Sequence, residues 1–332
     1  MIASEKLAAW LADPEAQKRS YLGIDACLRR WRHHPLMTET DRALVSLEDR
    51  TPEAVLGVAR AFMDRTDDID ALMDELLSSS AADPFFRPPF QPMSSDIHDA
   101  LLLYHHPDLS IGLGAIGVDM LAARKTSPRG AASVSFTGVV TLFRYPRAGG
   151  ATVSLWEAPP ITPLFDAAHA GKARLVERRR IEDGEEILVD GRHQGFIIDH
   201  AVSDMIFYQA VVRVDAAPVA IEYDSKTVSF INASSTDEVS SRVQMMVTLL
   251  RTMDREDAVP LIIEALDSPH FYTRWHIMRE LLALDAEAAL PHLRRMAAHD
   301  PHPEPRAAAQ QTLAMFFAEA PESASGDLPC RA

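Results

Sequence analysis

Four residues in the middle of the sequence carry side chains that can bind a divalent metal: His105, Glu157, His193 and Asp199. Imidazole and carboxylate groups are ligands for Fe, Zn, Mn and Ni. His193 and Asp199 are six residues apart, so along a β-strand both side chains would point to the same face. The pattern allows a metal site as an alternative hypothesis. In the favoured interpretation these residues simply lie at the ends of hairpins, and the chain binds no cofactor.

A second group of polar and aromatic residues lies near the C-terminal end, where it opens a helical segment. Aromatic and arginine side chains dominate the binding energy of many protein interfaces. We therefore predict a partner surface here, although Arg274 is also suited to bracing neighbouring helices. The predicted surface consists of Tyr272, Arg274, Trp275, His276 and Arg279.

Sequence motifs for catalysis or cofactor binding are weak. The sequence contains no G-x-S-x-G, H-E-x-x-H or P-loop motif, so we predict no catalytic residue and regard an enzyme as the less favoured class. Gly112, Gly114 and Gly117 match G-x-G-x-x-G, but the acid that a dinucleotide ribose needs about 20 residues later is missing. Glycines in a twisted strand explain this match better than a cofactor site.

The charge balance limits the partners of the chain. Its 332 residues include 33 Lys and Arg against 48 Asp and Glu, a net charge of −15. Such a chain repels phosphate backbones, so nucleic acid is excluded as a first hypothesis. The sequence has no long apolar stretch for a membrane and only two cysteines, near opposite ends. We expect a cytoplasmic protein.

Residues 1–80 have the apolar spacing of helices, with a helix start at Thr51-Pro52-Glu53. Residues 81–97 are rich in Pro and Ser, which predicts a linker. Its phenylalanines Phe85, Phe86 and Phe90 indicate that it packs on the rest of the protein.

Residues 98–233 change to the period of two that is typical of β-strands. Three pairs of strands are separated by turn residues, and each pair predicts a β-hairpin. The predicted pairs are Leu101–His105 with Leu109–Ala115, Val139–Tyr145 with Ala151–Glu157, and Glu185–Val189 with His193–Asp199. This spacing favours an antiparallel barrel or sandwich.

Residues 234–320 are helical again and contain an internal repeat. Arg242, Arg274 and Arg306 follow one another at intervals of 32 residues, and leucine pairs recur behind them. This period predicts a short α-solenoid of about two and a half units. Residues 321–332 are expected to be a flexible tail.

The segment AVPLIIEALDSP, followed by Arg274 and the leucines LLAL, resembles a HEAT repeat. The strands around Glu182–Gly191 resemble, more weakly, those of a cupin. The chain thus resembles HEAT-repeat-containing bacterial proteins of unknown function. The resemblance implies a multi-domain α+β fold with a helical N-terminal region, a cupin-like barrel or sandwich and a short HEAT-like solenoid.

From this organisation we predict an intracellular protein-interaction or regulatory protein that uses its HEAT-like surface and its β domain. The expected partner is another protein; a small molecule in the β domain and a homodimer remain open. The alternative hypotheses are a cupin-type, metal-dependent enzyme acting on small molecules and a metal-free sensor of small molecules.

Overall fold

A computed structural model of the protein describes residues 5–88, 92–94, 98–126 and 133–317. The predicted tail at 321–332 and Phe90 of the predicted linker lie outside these residues. The described chain forms two compact units. The first contains the residues up to Ile161 together with Ala170–Ala233, and the second contains Thr162–His169 together with the residues from Ser234 onward.

The first unit begins with five helices, and the second, third and fourth of them each start with a capping side chain followed by a proline. Thr51 caps the fourth helix as predicted, since its Oγ1 accepts the Ala54 N–H at 3.2 Å. Phe85 stacks on Trp10 with ring centroids 4.9 Å apart, so this part of the predicted linker does pack on the helices. The helices are α1 (Glu5–Ala12), α2 (Pro14–His33), α3 (Pro35–Val45), α4 (Pro52–Met63) and α5 (Thr66–Ala82).

The strands of the first unit are antiparallel and form three sheets. A six-stranded sheet has the order β1-β2-β3-β10-β5-β8, and two three-stranded sheets have the orders β7-β6-β9 and β12-β11-β4. One helix, α6 (Val118–Thr126), interrupts them. The strands are β1 (Pro92–Ser94), β2 (His98–His105), β3 (Leu109–Ile116), β4 (Ser133–Phe136), β5 (Val140–Arg147), β6 (Thr152–Glu157), β7 (Arg174–Arg180), β8 (Glu186–Asp190), β9 (Gln194–His200), β10 (Met205–Val212), β11 (Val219–Asp224) and β12 (Phe230–Ser235).

The six-stranded sheet is buried on both faces. Along β5, Leu142 packs in the core shared with α2–α5, whereas Phe143 and Tyr145 point to the core shared with β6 and β9. Because both faces of β5 are buried, its sequence is a nearly continuous run of apolar residues. Trp31 of α2 donates its Nε1–H to the Leu103 carbonyl at 3.1 Å, which fixes the helices on the sheet.

The expectation of a closed barrel is corrected by the sheet pairing. Among the described residues the three sheets stay separate and none closes on itself. The hairpin of β2 and β3 forms as predicted. The other two predicted hairpins do not, because β5 and β8 pair with each other in the large sheet while β6 and β9 pair in a small one. Each short loop therefore carries the chain from one sheet to another.

The second unit is helical, and every second helix starts about 32 residues after the one before, at Glu238, Phe271 and Pro303, as the arginine spacing predicts. Arg242, Arg274 and Arg306 each occupy the first two turns of a helix. None of the helices described in either unit combines the length and apolar character needed to cross a bilayer. The helices of the second unit are α7 (Glu238–Thr252), α8 (Val259–Glu264), α9 (Phe271–Leu284), α10 (Ala286–His299) and α11 (Pro303–Phe316).

Candidate protein-interaction surface

Helix α7 is fixed to α9 by three side-chain contacts. Gln244 Nε2 donates to Thr273 Oγ1 at 3.0 Å. Thr248 Oγ1 and His276 Nε2 are 2.9 Å apart one turn later. At the next turn Arg251 forms an ion pair with Glu280, which is buried. The contacts follow the helical period, so they define which side of α7 faces α9.

The side of α7 turned away from these contacts is exposed and, apart from Arg242, apolar. By the helical period of 3.6 residues, it lies roughly opposite the residues that contact α9. Its apolar side chains are 55–66% exposed, although each is large. We call this set the α7 face: Val239, Met246 and Leu249 of the helix, with its C-cap residue Met253. Met245, 67% exposed, lies beside it.

A third side of α7 is buried. Val243, Val247 and Leu250 pack into the core that α7 shares with α8 and α9. Helix α7 is therefore apolar on two sides, of which one is buried and one is exposed. A helix at the end of a repeat array usually presents a polar outer side to solvent, so the α7 face is the unusual feature of this unit.

The predicted partner surface on α9 is placed mainly inside the unit. Arg274 is 9% exposed, and its guanidinium binds Asp300 together with the carbonyls of Ser268 and Pro269. Arg274 therefore braces the neighbouring helices, which is the second role that the sequence allows for it. Burial alone raises the pKa of Asp300, but hydrogen bonds from Arg274 and the His302 N–H hold that pKa below its ordinary value.

The other four predicted residues differ in exposure. The Tyr272 hydroxyl lies 3.0 Å from Ser235 Oγ, and Trp275 packs against the core of α9–α11. His276 is half-buried beside Thr248, and burial lowers its pKa. Of the five predicted residues, Arg279 is the exposed one. Sequence reasoning missed the α7 face; its signal was the spacing of Val239, Met246 and Met253 at seven-residue intervals.

The four candidate metal ligands are separated by the sheet register. Glu157 pairs with Gln194 at one end of the β6–β9 ladder, whereas Asp199 lies toward the other end, where Thr152 pairs with His200. His105 lies in the large sheet and contacts Ser110 Oγ through Nδ1 at 3.1 Å.

The two carboxylates among these candidates are engaged by arginines. Arg174 binds Glu157, and Arg178 lies 3.1 Å from Asp199, which also accepts the Ser154 hydroxyl. His193 is 3.7 Å from Asp190. In the part of the chain that the structure describes, no group of three His, Cys, Asp or Glu residues could hold a metal ion. The structure does not bring the four candidate residues together at one point.

The glycine motif has a packing role. Gly112 and Gly114 lie inside β3, and a Cβ at Gly114 would lie 2.5 Å from the Phe207 ring. Phe207 belongs to the aromatic core between the large sheet and β9, where Phe143 and Phe196 lie 4.9 Å apart. Gly114 thus leaves room for an aromatic ring, as expected for glycine where another group approaches closely.

Comparisons with known proteins match the HEAT-like resemblance seen in the sequence. Residues 231–314 match the HEAT-repeat family. A comparison with curated proteins finds no match. Similar solved structures include a cupin domain from Bordetella pertussis, at 8% identity over 36% of this chain and 97% of that chain, with a TM-score of 0.22.

Two further similar structures are KdgF from a Halomonas species and a sugar phosphate isomerase of the cupin superfamily from Silicibacter pomeroyi. KdgF is 11% identical over 37% of this chain and 88% of its own, with a TM-score of 0.23. The isomerase is 11% identical over 43% of this chain and 79% of its own, with a TM-score of 0.22. TM-scores this low carry no argument about chemistry. The C-terminal segment at 231–314 is what the chain shares with a known family.

Proposed function

We propose that this chain is a protein-interaction protein that docks a partner helix on the α7 face. HEAT-type arrays present extended surfaces to other proteins, and residues 231–314 match that family. Its place of action in this proposal is the cytoplasm, as expected from the sequence.

The observation that carries the proposal is the exposed apolar side of α7. Val239 and Met253, which bound the α7 face, are 14 residues apart, and this spans about 21 Å of helix. A strip of this length and width fits one amphipathic helix lying along it. Covering a large apolar side chain contributes about 1.5–3 kcal/mol when its burial is complete. Met246 and Met253 also adapt in shape to a partner, because methionine is flexible and polarisable.

The cupin-type enzyme and the metal-free sensor remain predictions. The core between β5 and β9 is apolar and aromatic. We therefore argue only the interaction role from the structure.

Methionine footprinting tests the proposal directly. Hydroxyl radicals would be applied to an extract of cells that make the protein naturally and to the dilute purified chain. The reference is Met315, which is 60% exposed, against 63% for Met246. We expect Met246 and Met253 to be protected from oxidation in the extract relative to Met315. Equal oxidation of all three in both samples would contradict the proposal.

A further inference from the structure

The α7 face has the spacing of a helix-pairing seam. Val239, Met246 and Met253 recur every seven residues, and Arg242 and Leu249 lie between them, also seven apart. Residues at these intervals occupy the two core positions of a coiled-coil heptad. All three apolar residues of the seven-residue series are more than half exposed.

The seven-residue series of the seam is symmetric about Met246, and the two residues between its members are symmetric to within one residue. Val239 and Met253 lie seven residues on either side of Met246, and Arg242 and Leu249 lie four and three residues away. If a second α7 lies antiparallel with Met246 against Met246, each Val239 meets a Met253. Each Leu249 then lies one residue out of register with an Arg242, whose long aliphatic stem can reach across to cover it.

We propose that the partner helix on the α7 face is the α7 of a second copy of this chain, paired antiparallel about Met246. This inference rests on the proposed function, since it names the occupant of the same surface. The contact is isologous, because the same side chains face one another across a two-fold axis.

The charges along α7 fit this pairing in spite of the net negative charge of the chain. The seam itself contains no acid. Glu238 and Asp254 lie eight residues on either side of Met246, so the pairing brings two acids near each other. Arg242 forms an ion pair with Glu238 and balances this charge.

Asp237 and Arg255 lie outside the seam: Asp237 caps α7 by accepting the Ser240 N–H, and Arg255 is paired with Asp257. Neither residue therefore adds an unbalanced charge to the pairing.

The area of the α7 face limits the affinity of the proposed dimer. A stable interface buries about 800 Å² on each partner. The α7 face and the adjoining Met245 offer several hundred Å² of exposed apolar surface, since such patches measure roughly 300–600 Å². The dimer is therefore expected to dissociate in the micromolar range rather than the nanomolar range.

Sedimentation equilibrium of the full chain over a wide concentration series tests the pairing. The chains compared are the wild type, Met246→Glu, Met246→Lys, an equal mixture of these two variants, and Met315→Glu as a matched exposed control. We expect the wild type and Met315→Glu to rise toward twice the chain mass. Each Met246 variant alone should stay monomeric, because two like charges meet on the axis. The mixture should recover the dimer.

Circular dichroism of each variant checks folding, which should be unchanged because Met246 is exposed. A wild type that stays monomeric at every concentration would overturn the inference, as would a dimer insensitive to Met246→Glu or a mixture that fails to recover the dimer. If the wild type is monomeric while Met246 is protected in the cell extract, this inference fails and the proposed function stands. If Met246 is also unprotected there, both fail.

Discussion

Arg274 and Asp300 form a two-point ion pair inside the second unit. Nε lies 2.8 Å from Oδ2 and Nη2 lies 2.7 Å from Oδ1. The pair joins α9 to the turn between α10 and α11, and Arg306 binds the Asp300 carbonyl from the next helix. Arg274 and Arg306 thus stabilise the array. Arg242, the first arginine of the 32-residue series, is instead exposed and pairs with Glu238 within α7.

Removal of this arginine should destabilise the second unit strongly. Arg274→Ala leaves the Asp300 carboxylate buried without its partner, which costs about 3–5 kcal/mol. Hydrogen exchange of the α9–α11 amides measures this unit separately from the first. Arg279→Ala, on the exposed side of the same helix, should change stability by less than about 0.5 kcal/mol. Equal effects of the two substitutions would contradict the bracing role.

The second unit should lose stability below neutral pH because of His302. This side chain is 5% exposed and stacks on Phe271 with ring centroids 3.7 Å apart. Burial lowers its pKa; Arg274 and Arg306 act in the same direction, and Asp300 and Asp166 oppose them. The unfolded chain therefore binds a proton at higher pH than the folded chain does. Stability is complete above the ordinary histidine pKa of about 6.5 and falls as the pH drops below it.

The pH effect is measured from unfolding free energies between pH 7 and about 5.5, a window above the ordinary carboxylate range. His302→Asn keeps a residue that can cap α11 and should remove a slope of up to about 1.4 kcal/mol per pH unit. His299→Asn, at an exposed position of α10, is the control. The same slope in both variants and the wild type would refute the assignment to His302.

Gly114 should not tolerate a methyl group. Gly114→Ala places a carbon 2.5 Å from the Phe207 ring, and overpacking of this kind costs about 1–3 kcal/mol. Gly23 in α2 is the matched control, because a Cβ there meets nothing within 4 Å. Gly23→Ala should raise stability by up to about 1 kcal/mol. Denaturant midpoints of the first unit give both values, and a neutral Gly114→Ala would show that Phe207 can move aside.

Metal analysis decides the cupin-type alternative. The freshly purified, untagged chain is expected to hold far less than one metal ion, and a chelator should leave its melting temperature unchanged. About one Fe, Zn, Mn or Ni per chain, lost in both His193→Ala and Asp199→Ala, would instead establish the metal site.

Local signals in the sequence predict local structure well. The 32-residue spacing of arginines predicts α7, α9 and α11, and Thr51 predicts the start of α4. The pairing of β5 and β6 into different sheets is not visible locally, because β5 takes its partners from β8 and β10, far along the chain. Alternating residues define a strand but not its neighbour.

The candidate site was harder to predict than the fold. Helix α7 contacts α9 through the polar side chains of Gln244, Thr248 and Arg251, while Met246 and Leu249 are exposed. Sequence reasoning assigns apolar residues to the packed side of a helix. It predicts the aromatic start of α9 as surface and assigns no role to the α7 face. Only the placement of α7 on α9 shows that this face is exposed.

The oxidation rate of Met246 relative to Met315, in cell extract and in dilute purified protein, tests the central claim most directly. The two residues are almost equally exposed in the structure. A docking surface on α7 predicts that Met246 becomes protected in the extract while Met315 does not. Equal oxidation of the two methionines in both samples would show that nothing docks on this face.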